Sequence, residues 1–317
     1  MHPIGGYFSL ELPQREAYHR DAIALNTGRN CLEYILRSRR YSHVYIPYYT
    51  CEVVLEPFRK LGVGHSFYHV DENLELTSPI ELQEGEALLY TDYFGLKHRY
   101  AMQLAARYGG RLIVDCTQAF YARPLPGVDT FYTCRKFFGV PDGAYLYTDS
   151  PLPDRFDRDE SHDRVSFLVK RLDLGAEAGY ADFRQQSERL VGQPIKLMSH
   201  LTMRMMQGID YDAAARRRRA NYLFLHSHLA ATNGLRLSLD AAAVPMVYPY
   251  LSDDPTLKQR LIAAKVFVAT YWPNVLEWCA PGDFEHRMAG RCIFIPIDQR
   301  YGTDSMLRIV DIIQRQQ

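Results

Sequence analysis

Along the first 150 residues, segments with the apolar pattern of a strand alternate with segments that have the apolar pattern of a helix. Short runs rich in β-branched and aromatic residues, bounded by Gly, Pro or charge, predict β-strands. These runs are HVYIP (43–47), HSFYHV (65–70), ALLYT (87–91), RLIVD (111–115), TFYT (130–133) and AYLYT (144–148). Between them, apolar residues recur at helical spacing over 28–39, 50–61 and 100–108. This alternation predicts an α/β fold with a mostly parallel sheet flanked by helices, and ligands at the carboxyl ends of its strands.

The pattern changes after Thr148. Residues 151–163 are polar and contain proline, which indicates a loop, and 164–235 have helical patterns throughout. Strand-like runs return further on, as MVYPYL (246–251), KVFVATYW (265–272) and RCIFIPI (291–297). We therefore predict a large ligand-binding domain over 1–215, with 164–215 as a helical linker, and a small α+β domain over 216–317.

The composition is typical of a soluble globular protein. Of the 317 residues, 47% are hydrophobic and 23% are charged. Lys plus Arg and Asp plus Glu both total 37, and this zero net charge favours neither nucleic acid nor an anionic membrane as a partner. One basic run, RRRR (216–219), invites a nucleic-acid interpretation, but we interpret it as the solvated face of a helix.

The sequence predicts neither a membrane span nor export. No uninterrupted apolar segment approaches the roughly 20 residues of a membrane helix. The start, MHPIGGYFSLEL, lacks the basic stretch and apolar run of a signal peptide. The six cysteines show no CxxC pair and no zinc spacing, so we expect no metal site and a reducing, cytoplasmic location.

Asp115 is the first candidate for chemistry, because it ends the apolar run RLIVD. A carboxylate there faces the ligand edge of the predicted sheet, and its burial is costly unless a partner compensates the charge. A protonated heterocyclic nitrogen is one such partner, and the acid would keep that ring electron-poor. The alternative is that Asp115 only caps the following turn or helix, and the residue alone favours neither interpretation.

Lys136 follows a predicted strand and precedes a Gly/Pro turn and another strand. Its neighbours Phe137 and Phe138 predict partial desolvation, which would lower the amine pKa and make it a better nucleophile. The alternative is an ordinary surface lysine. Arg135, next to it, either adds a second positive charge or pairs with a phosphate.

The segment NTGRN (26–30) opens a predicted helix with a Thr-Gly turn. Backbone N–H groups at a helix start point outward and bind phosphate well. The turn is weak evidence alone and gains weight from its order, ahead of Asp115 and Lys136 in the chain.

These features, in this order, resemble the DegT/DnrJ/EryC1/StrS aminotransferases, PLP (pyridoxal 5′-phosphate)-dependent sugar aminotransferases of the aspartate-aminotransferase-like fold type I. The resemblance spans nearly the whole chain, although each motif is degenerate. Its motifs are NTGRNCLEYIL, IPYYTCEVVLEPFRKLGVGHSFYHVDENLEL, LIVDCTQAF, FYTCRKFFGVPDGAYLYT and the C-terminal VPMVYPYL and IPIDQRY.

The resemblance implies that PLP is the cofactor, that Lys136 forms its Schiff base, and that Asp115 pairs with its pyridine nitrogen. It also implies that Gln118 lies near the phenolic oxygen of the ring. The backbone groups implied to hold the phosphate are those of Gly28, Arg29 and Asn30.

The chain departs from the family pattern at several positions. Phe131 stands where the family has a phosphate-binding Ser, and Thr133 is the expected substitute. Cys51 stands where the family has an aromatic residue stacked on the ring, which leaves Tyr49, Tyr93 or no residue for that role. The Asn-rich loop that the family donates from a neighbouring subunit has no clear counterpart.

The predicted function is an aminotransferase. By resemblance, the donor is glutamate and the acceptor is a keto sugar linked to a nucleotide. Another PLP reaction, such as sugar dehydration, would need a histidine or another non-transferring residue in place of Lys136. A third alternative is a PLP-binding or PLP-free scaffold without turnover, which Phe131 and Cys51 would fit.

The resemblance also implies a homodimer with shared active sites. We expect Gly5–Phe8 and Tyr90–Phe94 to be buried between subunits, because both are aromatic-rich. We expect 164–215 to close the phosphate site of the partner. The alternative is that each site is complete within one chain.

Overall fold

The computed structural model describes residues 4–315. Its strands are β1 (Ile23–Leu25), β2 (His43–Pro47), β3 (Gly64–Tyr68), β4 (Glu86–Thr91), β5 (Leu112–Asp115), β6 (Asp129–Thr133), β7 (Ala144–Tyr147), β8 (Val247–Leu251) and β9 (Cys292–Pro296). Its helices are α1 (Gly28–Arg39), α2 (Leu55–Leu61), α3 (His98–Tyr108), α4 (Ser166–Leu174), α5 (Tyr180–Arg189), α6 (His200–Gln207), α7 (Tyr211–Leu229), α8 (Leu257–Ala263), α9 (Val275–Trp278), α10 (Phe284–Arg291) and α11 (Thr303–Gln314).

The first seven strands form one sheet in the order β1-β7-β6-β5-β4-β2-β3. The pairs from β6 through β3 are parallel, and β7 is antiparallel to both of its neighbours. The prediction of a mostly parallel sheet is therefore confirmed. Strand β1 was not predicted, because three residues are too short to show a period.

Two predictions of secondary structure are wrong. Residues 164–235 are not helical throughout, since α4 to α7 are separated by loops and 190–199 is extended enough for Leu197 to form bridges to Leu25 and Arg158. The run KVFVATYW forms no strand in the described chain, and only Ala269 makes an isolated bridge, to Phe294. Val266 and Trp272 are buried in an irregular loop while Phe267 is exposed, and periodicity alone does not separate such a loop from a buried strand.

The second sheet is the antiparallel pair β8 and β9, which packs against α7 and α10, and α11 packs on α7. The predicted domain boundary at 215/216 falls within α7, and one core cluster contains Tyr49 and Phe120 together with Leu225 and Phe294. The division into two domains stays a prediction. Within residues 4–315, no helix combines the length and apolar character needed to span a membrane.

The sheet topology brings distant parts of the chain to one edge. Asp115 ends β5 and Thr133 ends β6, while Thr27 follows β1 by two residues. Gly143 immediately precedes the antiparallel β7, so it reaches the same edge. This edge is the carboxyl end of the parallel strands, where open α/β sheets bind ligands.

Candidate active site

A cavity of about 210 Å³ lies at this edge, and we call it the first cavity. Five of the residues that the sequence predicted for the site line it, together with residues that the sequence did not predict. The predicted residues are Gly28, Arg29, Asp115, Thr133 and Lys136. The others used below are Thr117, Phe131, Arg135, Asp142, Gly143, Leu190 and Trp272.

Thr117 connects the two main candidates. Its backbone N–H donates to Asp115 Oδ1 at 2.8 Å, and its Oγ1 accepts from Lys136 Nζ at 2.9 Å. The carboxylate and the amine therefore share one residue as a hydrogen-bond partner. The sequence did not single out Thr117, although its place two residues after a strand-end acid is typical of an Asx-type turn.

Burial raises the pKa of the Asp115 carboxyl, and the nearby Lys136 ammonium and the Thr117 hydrogen bonds oppose that rise. Only 5% of the Asp115 surface is exposed. A buried carboxylate held by one lysine and two short-range hydrogen bonds is still under-compensated, since desolvation remains the largest cause. A cationic partner in the cavity would remove this deficit.

The local environment of Lys136 differs from the prediction. Its side chain is exposed to the cavities, whereas Phe137 and Phe138 are buried and point into the core. The proposed desolvation by these neighbours is therefore wrong, because the two phenylalanines are buried in the core while the lysine side chain stays exposed. The amine is instead positioned by Thr117 and by Coulomb attraction to Asp115.

The start of α1 has free backbone donors. Thr27 is the N-cap, and its Oγ1 accepts from the Asn30 N–H at 3.2 Å. The N–H groups of Gly28 and Arg29 have no hydrogen-bond partner within residues 4–315. A Cβ on Gly28 would lie 3.4 Å from Thr117 Cγ2, so the helix start lies directly beside the turn that contains Thr117. Such a helix start is suited to an anion.

The structure does not bring Asn30 and Gln118 to the first cavity. The buried Asn30 side chain bonds Thr27 and the Gln193 carbonyl, the latter at 2.9 Å. Gln118 Oε1 accepts from the Phe94 N–H at 3.0 Å, so its amide braces a neighbouring loop. The Asn30 backbone N–H, the group predicted to bind phosphate, donates instead to the Thr27 cap at 3.2 Å. The role of Gln118 near a ring stays a prediction.

The two tyrosines considered for ring stacking are also elsewhere. Tyr49 and Tyr93 are fully buried and pack on each other, with ring centres 5.6 Å apart. The aromatic side chain that reaches the first cavity from the far end of the chain is Trp272, which contacts Tyr49 edge-on. Sequence reasoning missed it, because its distance along the chain carries no local signal.

Asp142 was also missed. Its Oδ1 accepts from the Thr202 hydroxyl at 2.5 Å and its Oδ2 from the Ser161 hydroxyl at 2.6 Å. Gly143 follows with φ of 102°, and a Cβ there would lie 2.8 Å from Thr202 Cγ2. The turn Pro-Asp-Gly is therefore locked to α6, and it forms one wall of the cavity.

A second cavity of about 450 Å³ adjoins the first, and both are lined by Arg135 and Lys136. Arginines dominate the charge of its lining. The charged side chains that line it besides Arg135 and Lys136 are Arg171, Arg218, Arg300 and Asp298.

Arg218 shows that the basic run 216–219 is not simply a solvated face. Its side chain is 1% exposed, donates to the Phe137 and Met246 carbonyls at 3.0 Å, and stacks on the Phe137 ring. The expectation is wrong for this residue, because α7 packs its third arginine against the lysine turn. Arg218 thus holds the backbone next to Lys136.

Comparison with known proteins supports the fold. No protein-family model and no curated protein matches the sequence. Solved structures match it over most of its length. The sugar aminotransferase CalS13 from Micromonospora echinospora has a TM-score of 0.63 and 18% identity, over 94% of this chain and 88% of its own.

Two further structures extend this comparison. A DegT DnrJ EryC1 StrS aminotransferase from Brucella abortus has a TM-score of 0.61 and 15% identity, over 93% of this chain and 85% of its own. The E. coli GDP-4-keto-6-deoxy-D-mannose-3-dehydratase, solved with bound hydrated PLP, has a TM-score of 0.60 and 13% identity, over 92% and 87%. The Brucella abortus structure bears the name of the family that the sequence resembles. The chain has the aspartate-aminotransferase-like fold type I, as its sequence predicted.

Proposed function

We propose that the protein is a PLP-dependent aminotransferase that moves an amino group from glutamate to a keto acceptor, with Lys136 as the lysine that would bind the cofactor aldehyde. One observation carries the proposal: Lys136 and Asp115 are joined through Thr117 in the cavity that also contains the free N–H groups of α1. An amine, a carboxylate and an anion-binding helix start are the three groups that a phosphorylated pyridine aldehyde requires.

The residues fit this cofactor. Asp115, buried and short of positive partners, would bind the ring nitrogen and keep it protonated. The N–H groups of Gly28 and Arg29 and the Thr133 hydroxyl would hold the phosphate. When bound, PLP supplies an electron sink for the bonds at the substrate carbon. Lys136 Nζ would bind the cofactor aldehyde. Once the substrate amine has replaced it there, the lysine would move a proton at the substrate carbon.

The second cavity supports an anionic substrate. Arg171 and Arg300 line it, and Arg300 is already paired with Asp298 through bonds of 2.7 and 2.9 Å. A carboxylate or a phosphate of the substrate would complement this lining. We propose a keto sugar linked to a nucleotide as the acceptor, in keeping with the sugar aminotransferases of the same fold.

Glutamate should therefore convert the bound cofactor to its amine form. We expect the visible absorbance of the PLP-loaded protein to fall on addition of glutamate and to return on addition of 2-oxoglutarate. The measurement is an absorbance titration of the PLP-loaded protein with glutamate, repeated with alanine and with aspartate as alternative donors. An unchanged spectrum with every donor would contradict aminotransfer and favour a scaffold without turnover.

Sugar dehydration is the second candidate, since dehydratases of this fold are among the similar structures. Lys136 argues against it, because a dehydratase must keep the amino group from being released to the acceptor, and a histidine or another non-transferring residue serves that end. Formation of an aminated sugar from a keto-sugar acceptor, in step with 2-oxoglutarate formed from glutamate, would exclude this alternative.

We also propose a homodimer, although only part of the surface that the sequence predicted for the interface is exposed. Tyr90, Tyr93 and Phe94 are fully buried within their own chain, so the expected burial of this segment between subunits is wrong. Tyr7 and Phe8, by contrast, are 99% and 94% exposed. Apolar side chains of α4 and α5 are exposed as well, namely Val169, Leu172, Leu174 and Tyr180.

An apolar surface of this kind is typical of an interface between subunits. Leu190 of the segment 164–215 lines the first cavity of its own chain, which favours a site that does not depend on that segment of a partner. We expect light scattering at micromolar concentration to give the mass of a dimer, and Leu172→Glu to shift the mass toward the monomer. A monomeric wild type would contradict the proposal.

A further inference from the structure

Arg135 combines three features that set it apart from the other arginines near the site. It lines both cavities, directly before Lys136. Its Nη2 donates to Ser187 Oγ at 3.1 Å, and its guanidinium lies 5.3 Å from the centre of the Phe183 ring. Its Nε is buried without a hydrogen-bond partner in the described chain.

The neighbouring arginines are already neutralised. Arg29 pairs with Glu56, and Arg164 pairs with Asp159 at 2.7 Å. Arg135 forms no ion pair with any carboxylate of residues 4–315, and burial lowers the pKa of its guanidinium to about 10. Asp142 attracts it, but the oxygens of that carboxylate accept from two hydroxyls and face Arg164. A desolvated guanidinium without a carboxylate partner is suited to an anionic ligand.

Arg135 lines the same cavity as the start of α1. The positive charge of Arg29, the second residue of α1, is close enough to lower the pKa of Arg135. Phe131 lies beside that helix start, since a Cβ on Gly28 would lie 3.9 Å from its ring. Phe131 therefore occupies a place beside the free N–H groups without offering a hydroxyl to a ligand there.

We propose that Arg135 is a ligand of the cofactor phosphate, so that its guanidinium completes the anion site that the Gly28 and Arg29 N–H groups begin. The guanidinium supplies the charge and the donors that the Phe131 side chain lacks. The Ser187 hydroxyl and the Phe183 ring hold the guanidinium in place from α5. This inference rests on PLP as the cofactor of the proposed function.

The test compares PLP with pyridoxal, which carries the same aldehyde and ring without the phosphate. Dissociation constants of both are measured on the cofactor-free full chain by absorbance titration. Arg135→Met should weaken PLP binding about 10- to 100-fold, as expected for a lost hydrogen bond to a charged group. Pyridoxal binding should stay within about twofold, because that ligand has no phosphate to lose.

Two further variants make the comparison specific. Arg135→Lys keeps the charge but loses the planar pair of donors, so its PLP affinity should fall between the wild type and Arg135→Met. Arg171→Met removes an arginine that lines the second cavity but not the first, and it should leave the preference for PLP over pyridoxal unchanged. Inorganic phosphate should compete with PLP in the wild type and compete less in Arg135→Met.

Each other result overturns the inference. Equal weakening of PLP and pyridoxal in both Arg135 variants would show a structural role. Unchanged PLP affinity with a higher glutamate requirement would place Arg135 in the second cavity instead. A wild type that binds neither compound would overturn the proposed function itself, and that outcome is distinct from a loss confined to the variants.

Discussion

Lys136→Ala is expected to abolish both the visible absorbance of bound PLP and all turnover. Nζ of this lysine lies at the boundary of the two cavities, where its only hydrogen bond within residues 4–315 is to Thr117. The side chain is exposed and packs on nothing in the core, so the folded structure should persist. The measurements are an absorbance spectrum with excess PLP, a turnover assay with glutamate, and a thermal unfolding curve.

Lys170 provides the matched control. It is an exposed lysine of α4 that pairs with Asp182 at 2.8 Å and lines neither cavity. Lys170→Ala should retain the absorbance and the activity. If Lys136→Ala keeps the visible band, another lysine binds the cofactor and the interpretation of the segment FYTCRKFF is wrong.

Asp115→Asn should keep PLP bound and reduce aminotransfer about 100- to 1,000-fold, the range for loss of one electrostatic partner in a water-excluded site. The amide has nearly the shape of the carboxylate and can still bind the Thr117 N–H. It carries no charge, however, and does not hold a ring nitrogen protonated. The effect should appear in kcat more than in KM, because the charge acts on the reacting bonds.

A second buried acid separates this effect from the general loss of a buried charge. Asp92 follows β4, is fully buried, and accepts from the Lys97 N–H at 2.9 Å, but it does not line either cavity. Asp92→Asn is expected to change stability more than the chemical step. Full activity of Asp115→Asn under saturating PLP would rule out its role as partner of the ring nitrogen.

The sequence by itself determined the large sheet and placed the two main candidate residues, Asp115 and Lys136, near its ligand edge. Five of the six predicted strands of the first half begin and end within one residue of the observed bounds, and α1 spans the predicted 28–39. Strand and helix periods are local properties, since they depend on neighbours a few positions away. The strand ends in turn placed Asp115 and Lys136 at one edge, because parallel strands share their carboxyl side.

Only the tertiary structure decided which side chains face the cavities. Arg218 lies in a run of four arginines, and nothing local distinguishes it from its neighbours, yet it alone of the four is fully buried against the lysine turn. Trp272 reaches the first cavity from a loop more than 130 residues beyond Lys136. Asn30 and Gln118 lie in the expected segments but turn their side chains to the Gln193 carbonyl and the Phe94 N–H.

The physical reason is the same for all of these residues. A side chain takes the orientation in which its polar atoms find partners and its apolar surface is buried, and those partners come from segments far along the chain. The local pattern therefore predicts where the backbone of the site lies. The packing of α5, α7 and the loop of Trp272 at the sheet edge determines which side chains complete the site.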